Sequence, residues 1–376
     1  MWLFGLRPSR IICIVLLDRF RAVFREGVVV MPKATLKSVA AEVGVSPATV
    51  SNAYNRPDQL SVELRERVFE TAKRLGYPGP NPTARNLRSG RTGSFGVLYN
   101  HSLSHAFSDP FASMFLAGLG GAVEDVGSGL LLIPLKAGDR EVDVDVLRRT
   151  PVDGLADVCL TRSQAQQVQE IATQREIPFV SSVCDDPAID HIGLDDFAGG
   201  RMMGEHLARL GHRRVAIVLD FHDHAGPVEV IAVDRLSEHF WARIHGLIAG
   251  LDGAEVTLVD AGWNAHDTGY RAGGWVLDQR NRPTAIVGVS DVMALGVLDA
   301  ARERGVDVPR ELSIVGFDDI PAAGPAGLTT LAQPITERGE LVGKLLLDPK
   351  RQPRQVILPT EVKVRRTTGP ANERNS

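Results

Sequence analysis

The sequence predicts two kinds of fold in one chain: a small all-α head followed by a larger α/β core of doubly wound parallel sheets. Apolar residues recur at helical spacing in short segments before position 80, with Gly and Pro between the segments. From Ser94 onward, apolar strands alternate with amphipathic helices, a pattern typical of parallel sheets. The 376 residues, of which 44% are hydrophobic and 23% charged, suffice for two or three domains with ordinary cores.

Residues 35–55 predict two short helices joined by a glycine turn. Apolar residues between 36 and 43 are spaced to bury one face of the first helix. Gly44 can leave that helix through the left-handed conformation, and Ser46 followed by Pro47 suits the start of a second helix. Small polar residues on the outside of the second helix indicate a helix-turn-helix, although spacing alone leaves any αα-hairpin open.

A third helix is predicted to begin after Ser61 and to end near Leu75, because Ser is a good N-cap and Gly76 and Pro78 stop a helix. The expected buried stripe of this helix is Val62, Leu64, Val68, Ala72 and Leu75. The second helix should direct Val50 and Tyr54 inward. Three short helices would therefore share one small core.

Two stretches of the head, TLKSVAAEVGVSPATVSNAYN from Thr35 and SVELRERVFETAKRLGYPGPNPTARNLRSGRTGSFGVL from Ser61, resemble the DNA-binding head of the LacI (lactose repressor) family of bacterial transcription regulators. With further matches as far as Pro359, the resemblance covers residues 33–367 approximately. It implies a helix-turn-helix domain at 31–80, a hinge at 81–93, a periplasmic-binding-protein-like effector and dimerisation core at 94–367, and a polar tail at 368–376. Within the core, one subdomain would comprise 94–193 and 334–358 and the other 194–333 and 359–367, with crossovers near Gly193, Gln333 and Pro359.

The resemblance places the second helix in the major groove with its first residues against base edges. Asn52 can bond adenine in a bidentate manner, whereas Ala48 can only contact a thymine methyl group or exclude bulk. Many relatives carry Arg or His where this chain has Asn52, which leaves the preferred half-site open. The head residues expected to contact DNA are Thr35, Ser46, Pro47, Ala48, Thr49, Ser51, Asn52 and Asn55.

The segment from Pro82 to Gly90 is polar, basic and too short to form a stable helix alone. The matching segment of the family folds into a hinge helix on operator DNA, and Leu87 falls where a Leu wedges into the minor groove. Arg85 and Arg88 would neutralise the phosphates beside it.

The core is expected to bind its effector where the strands end, at the cleft between its two subdomains. Strands are predicted at 95–99, 130–134, 178–183 and 214–219, and helices at 110–126, 164–175 and 201–210. A loop from Asn100 to Pro110 should form one wall of the cleft. The resemblance and the strand ends give Phe107, Asp109, Arg243, Trp263, Ser290, Asp318 and Gln333 as effector-binding residues, with Asp291 a helix cap instead.

The charge distribution indicates which part of the chain meets a polyanion. Residues 33–93 hold ten Lys and Arg against five acidic residues, whereas the chain from Ser94 holds 27 against 39. A basic head on an acidic body favours contact between the head and DNA. The Arg of the core, with an Asp, an amide and an indole, suits a sugar or a nucleoside.

Residues 1–30 have no counterpart in the family pattern, and we expect them to be a mis-called or disordered extension preceding a start at Met31. Their apolar run is too short to span a bilayer. Three widely spaced cysteines fit a reducing cytoplasm. The longer loop at 220–240 carries His222-Asp223-His224, but without a third distant ligand we expect neither a metal nor a cofactor.

These features together predict a cytoplasmic repressor that binds pseudo-palindromic operator DNA as a homodimer and responds to a small polyhydroxylated effector. A dimer is expected because the tail after Thr368 lacks the heptads of tetrameric relatives. A binding protein of transport or chemotaxis would share the core but lack the basic head. An enzyme is disfavoured because no nucleophile elbow or phosphate loop is present. Induction and co-repression both stay open, and family habit favours induction.

Overall fold

The computed structural model describes residues 34–80, 90–99, 101–135, 142–158, 160–220, 227–230, 238–348 and 353–372. The chain divides into two compact units, one up to Gly90 and one from Arg91. The extension 1–30, the hinge residues Arg85, Leu87 and Arg88, and the run His222-Asp223-His224 lie outside the described residues. Among the described helices, none is long and apolar enough to cross a membrane.

The first unit contains helices α1 (Leu36–Val43), α2 (Pro47–Asn55) and α3 (Val62–Leu75), with a 3₁₀ turn at Pro57–Gln59. The predicted glycine turn is confirmed, because Gly44 has φ 77° and follows the last residue of α1 directly. The hydroxyl of Ser46 caps α2 and that of Ser61 caps α3, as the sequence predicts. Local capping chemistry therefore sets the bounds of all three helices.

The core of this unit is small and aliphatic. Its fully buried residues are Val39, Ala40, Val43, Val50, Ala53, Val68 and Ala72. Tyr54 is half-buried, with its ring edge-on to Phe69 at a centroid distance of 5.0 Å. The prediction that Val62 is buried is wrong: its side chain is 58% exposed, because it is the first residue of α3 and lies at the end of the helix.

The second unit begins with one lobe of alternating strands and helices. Its elements are β1 (Ser94–Tyr99), α4 (Leu103–Ser108), α5 (Pro110–Glu124), β2 (Gly129–Pro134), α6 (Val144–Arg149), β3 (Leu155–Asp157), α7 (Arg162–Gln174), β4 (Phe179–Ser181) and β5 (Asp190–Leu194). A second lobe follows with α8 (Asp196–Arg209), β6 (Arg214–Leu219), β7 (Val228–Val230), α9 (Glu238–Gly250), β8 (Glu255–Asp260), α10 (His266–Leu277), β9 (Ala285–Gly288), α11 (Asp291–Glu303), β10 (Ser313–Asp318), α12 (Ala323–Ala326) and β11 (Thr329–Ala332). The chain then adds α13 (Ile335–Leu347), β12 (Gln355–Leu358) and β13 (Glu361–Lys363).

Each lobe is built on one sheet of the described strands. The first sheet has the order β12-β5-β4-β3-β1-β2 and is parallel throughout. The second has the order β13-β11-β10-β9-β6-β8-β7, in which only the two edge strands β13 and β7 are antiparallel. The predicted doubly wound parallel architecture is confirmed, and the carboxyl ends of its parallel strands share one edge in each lobe.

The described chain passes between the lobes at three places. It leaves the first sheet after Leu194, returns after Ala332 and crosses again between Leu358 and Glu361. The helix predicted to begin at Arg201 in fact begins at Asp196, and the Asn100–Pro110 wall contains the short helix α4. Gly199 and Gly200 obscured the start of α8 in the sequence, because glycine disfavours helix interiors.

Glycines pack three helix pairs backbone against backbone: α5 with α13, α8 with α9, and α10 with α11. A Cβ atom on Gly118 of α5 would lie 1.9 Å from the carbonyl oxygen of Thr336, and one on Gly200 of α8 would lie 2.0 Å from that of Arg243. No side chain fits at these contacts. Each pair is therefore held at a fixed, short separation.

Candidate functional site

The outer face of α2 is the first candidate site, and several of its polar groups are engaged within the helix. The backbone N–H of Thr49 donates to Ser46 Oγ at 3.0 Å, and the two hydroxyls lie 2.9 Å apart. Asn55 Nδ2 donates to the carbonyl oxygen of Ser51 at 2.9 Å. These contacts hold the start and the end of α2 in a fixed geometry.

The remaining predicted residues of the head differ in what they present. Pro47 and Ala48 are exposed on the first turn of α2, and Asn52 is half-buried. Within the part of the chain that the structure describes, the Asn52 amide makes no hydrogen bond, so both its donor and its acceptor can read a base. Thr35 forms a reciprocal capping box with Ser38 at the start of α1.

A second candidate site lies where the strands of the second lobe end. Asp220 follows β6, Asp260 ends β8 and Asp318 ends β10. Ser290 and Gln333 follow β9 and β11 by one or two residues. The five polar residues are all buried. Because these strands are parallel neighbours, their ends bring together residues that are far apart in sequence.

Arg243 is fixed at this edge by three kinds of contact. Its Nη2 and Nε atoms donate to Asp196 Oδ1 at 2.7 and 2.9 Å, and Nη1 donates to the carbonyl oxygen of Val289 at 3.0 Å. The guanidinium carbon lies 3.5 Å from the ring centroid of Phe317. An ion pair, a carbonyl and an aromatic face thus orient the planar guanidinium group of Arg243.

Asp318 joins the two lobes through a pair of buried side chains. Gln333 Nε2 donates to Asp318 Oδ1 at 2.6 Å, and Arg338 Nη1 donates to Gln333 Oε1 at 3.4 Å. Arg338 also donates to the carbonyl oxygens of Ile192, at 3.0 Å, and of Ser182 in the first lobe. The sequence did not single out Arg338, although it follows the predicted crossover by five residues.

The backbone and the electrostatics of Asp318 are both unusual. Its φ of 123° lies in a region that side chains other than glycine rarely adopt. Burial, together with the charge of Asp291, raises the pKa of Asp318 well above its usual value, and Arg243 opposes that shift. A strained, buried carboxyl at a strand end is a frequent feature of binding sites.

Aromatic and imidazole rings line the side of the cleft where the lobes approach each other. His101 in the first lobe lies edge-on to Trp263 in the second, with ring centroids 5.7 Å apart. His105 stacks on His101 at 4.8 Å, and its Nε2 lies 3.2 Å from the carbonyl oxygen of Asn264. Neither histidine was among the predicted residues, because nothing in the sequence around them marks a site.

The other predicted residues of the first lobe have different surroundings. Asp109 is buried and caps α5, accepting from the backbone N–H groups of Phe111 and Ala112 at 3.2 and 3.3 Å. Burial raises the pKa of its carboxyl, and the charge of His105 opposes this. Phe107 is 70% exposed, so it presents its ring to solvent.

The helix cap that the sequence assigned to Asp291 is in fact Ser290, which was expected to bind the effector. The Ser290 hydroxyl caps α11, accepting from Met293 N at 3.3 Å, and bonds Asn264 Oδ1 at 2.5 Å. Asp291 is not the cap but the first helical residue, and it accepts hydrogen bonds from Ile320 N and Thr330 Oγ1. Burial raises the pKa of Asp291 to about 7. Asp291 thus ties α11 to the ends of the neighbouring strands.

Two family models match the chain. Residues 35–81 match the bacterial regulatory proteins of the lacI family, and residues 205–368 match a periplasmic binding protein-like domain. An HTH-type transcriptional regulator of Mycolicibacterium smegmatis is 39% identical over 358 residues, covering 90% of this chain and 97% of the relative. The chain belongs to the LacI family.

Solved structures of LacI-family regulators match over the head and the core together. A lac repressor dimer, bound to operator and an anti-inducer, is 25% identical with a TM-score of 0.71 and covers 90% of this chain and 100% of that one. A complex of the regulator CelR with cellobiose is 26% identical with a TM-score of 0.61, covering 89% and 99%. This LacI-family chain is therefore a DNA-binding transcriptional regulator with a ligand-responsive core.

Proposed function

We propose that this regulator is a homodimeric repressor that binds a pseudo-palindromic operator and releases it when a sugar or a nucleoside occupies the cleft. The observation that carries the proposal is the position of Arg243. Its guanidinium group is held at the strand ends by Asp196 and lies near Asp318, so donors and acceptors for the hydroxyl groups of a ligand converge in the cleft. A cleft with this lining suits a polyhydroxylated ligand, and the ligand of the related CelR structure is cellobiose.

The contact that joins the lobes supports a switch of operator affinity. A ligand that bonds Asp318 competes for a carboxylate that Gln333 already holds, and Gln333 is in turn held by Arg338 of the first lobe. Occupancy of the cleft would thus change a contact between the lobes. A ligand shifts such an equilibrium only by its differential affinity for the two states, and a coupling of about 1–3 kcal/mol is typical.

On the DNA, we assign base reading to Pro47, Ala48 and Asn52, and phosphate contact to Thr49, Ser51 and Asn55. The exposure of the first turn of α2 supports the first assignment. The local bonds of Thr49 and Asn55 support the second, because a hydroxyl or amide held by its own helix can still face a phosphate. Leu87 with Arg85 and Arg88 stays a prediction for the hinge.

The test measures operator affinity with and without ligand. The intergenic DNA beside the gene supplies the operator fragment, and fluorescence anisotropy follows its release by a panel of sugars and nucleosides. Arg243→Lys keeps the charge but loses the bidentate fork, and Asp318→Asn keeps the size but loses the charge. Both variants should bind operator within about twofold of wild type and lose the ligand-dependent release, which corresponds to roughly 5–150-fold in affinity.

The matched control is Asp125→Asn, the same chemical change at an exposed residue that ends α5 and, within the described chain, bonds its last turn through the backbone N–H only. It should respond to ligand like wild type. A full ligand response in either Arg243→Lys or Asp318→Asn would show that the effector binds elsewhere. Operator binding strengthened by the ligand would replace induction with co-repression.

A further inference from the structure

Asp220 is a buried carboxyl at the cleft that neither the sequence nor the family assignment singled out. It follows the last residue of β6, a strand inside the second sheet, and its side chain is 6% exposed. Among the described residues, its Oδ1 atom has no hydrogen-bond partner. A buried polar atom without a partner lowers stability, so its retention in a protein calls for a physical reason.

The charges around Asp220 indicate the kind of group that would complete it. The charges of Asp260 and Asp109 disfavour its ionised form, and Arg243 favours it. Asp109 of the first lobe also disfavours ionisation of Asp318, so the carboxyls of the two lobes are close enough to influence one another. The guanidinium of Arg243 is already paired with Asp196. The cleft therefore holds more negative than positive charge when its carboxyls ionise.

Three kinds of ligand group could lie beside the Asp220 carboxyl: an anion, a metal ion and an organic ammonium group. An anion would gain little, because the guanidinium of Arg243 is already paired with Asp196. A metal ion needs several ligands at one point, and the described residues contain no group of three or more His, Cys, Asp or Glu side chains that could hold one. An organic ammonium group supplies both a positive charge and up to three N–H donors, which an unpartnered carboxylate oxygen can accept.

We propose that Asp220 is a further ligand-binding residue, and that with Asp109 and Asp318 it selects a polyhydroxylated ligand carrying an ammonium group. This inference rests on the proposed function, because it names the class of effector that the same cleft takes. The ammonium donates to Asp220 Oδ1, and the hydroxyl groups of the ligand bond the neighbouring side chains. A neutral parent sugar offers Asp220 only a hydroxyl at that position, whose hydrogen bond lacks the charge assistance of an ammonium, so it should bind more weakly.

Ligand binding should also release protons. The ligand-free cleft keeps Asp220 protonated near neutral pH, because burial raises its pKa to about 8. An ammonium beside the carboxyl favours the ionised form, so the proton leaves when the ligand enters. The charges of Arg243, Asp109 and Asp260 act on the same group, and each of them contributes to the size of this effect.

The experiment compares amino sugars with their neutral parents on the full-length protein. Calorimetry measures the affinity for glucosamine, galactosamine and mannosamine, and for glucose, galactose and mannose under the same conditions. At least one amino sugar should bind tenfold or more tightly than its parent. Asp220→Asn should reduce that preference to about twofold or less, and Asp125→Asn should retain it. The assignment is overturned if no amino sugar binds more tightly than its parent, or if Asp220→Asn keeps the preference.

Wild-type protein alone supplies a second test that does not depend on the folding of a variant. The heat of amino-sugar binding is measured in phosphate and in MOPS buffer, whose ionisation enthalpies differ. Proton release makes the two heats differ, and identical heats would overturn the proposal. Operator release by a neutral sugar only would remove this inference and leave the repressor function intact. Failure to bind any operator fragment would remove the repressor function, while the sugar affinities would still decide the role of Asp220.

Discussion

Replacing Asp220 by Asn removes a titratable group from the cleft while nearly preserving its volume. Burial is the main cause that raises the pKa of Asp220 from its usual 3.8 to about 8, with Asp260 and Asp109 adding to the shift and Arg243 opposing it. Between these two values the native state holds a proton that the unfolded chain releases. The free energy of unfolding of the wild type therefore falls as the pH rises through this window.

The size of the effect follows from the same two pKa values. One pKa unit corresponds to about 1.4 kcal/mol, so Asp220 lowers the stability of the wild type by roughly 4 kcal/mol at pH 7 and roughly 2 kcal/mol at pH 5. Asn does not titrate. Leaving its buried amide unpaired costs about 1–3 kcal/mol, but this cost is the same at both pH values. The stability of Asp220→Asn relative to wild type should therefore increase by about 2–3 kcal/mol from pH 5 to pH 7.

Urea unfolding at several pH values measures this difference. Trp241, Trp263 and Trp275 all lie in the second unit, so their fluorescence follows the unfolding of the core. Asp125→Asn is the control, because it makes the same chemical change at an exposed residue. If the difference in free energy of unfolding between Asp220→Asn and wild type is the same at pH 5 and pH 7, the pKa of Asp220 is not raised. If wild type gains stability relative to the variant as the pH rises, the pKa of Asp220 is lowered instead.

Three further substitutions test other parts of the chain. Gly118→Ala should destabilise the core by several kcal/mol, roughly the scale of overpacking, because its Cβ would collide with the Thr336 carbonyl. The control is Gly121→Ala, which should be neutral or slightly stabilising because its added Cβ would have nothing within 4 Å. Thermal unfolding of both variants measures the difference. Gly44→Ala should destabilise the head by about 1–2 kcal/mol, since Ala must adopt a φ of 77°. Circular dichroism follows the unfolding of the head's helices, and an unchanged stability would contradict this expectation. Asn52→Ala should relax the base preference at one half-site position by about 1–3 kcal/mol; binding to operator variants checks this, and an unchanged preference would remove Asn52 from base reading.

The head could be predicted from the sequence almost completely, because short-range chemistry sets its helices. Ser46 and Pro47 start α2, and Gly44 ends the preceding helix, within a few residues of one another. At Val62 the helical spacing identifies the correct face, but the residue is exposed because it is the first of the helix and has no preceding turn beside it. Ala53 is buried at a position where the sequence pattern emphasised the larger Tyr54.

The cleft was predicted less completely, since its contacts join residues that are far apart in the chain. Arg243 and Asp318 were found through the family resemblance, but the Asp196 partner and the Gln333–Arg338 contact depend on how the elements meet. Asp220 follows a predicted strand directly, and a carboxyl at the end of a parallel strand is a sequence signal for a binding site. Its missing partner could be seen only in three dimensions.

The glycine contacts between the helices restrict which parts of this protein can acquire new specificity during evolution. Gly200 and Gly246 hold α8 and α9 together, and this helix pair carries both Asp196 and Arg243. Any larger residue at either glycine would displace the Asp196–Arg243 ion pair as a unit. New ligands are therefore more accessible through substitutions at strand ends such as Asp220, where one side chain changes without moving its neighbours. The scaffold thus keeps this ion pair, which we propose as the anchor for hydroxyl groups, while the remainder of the cleft can diversify.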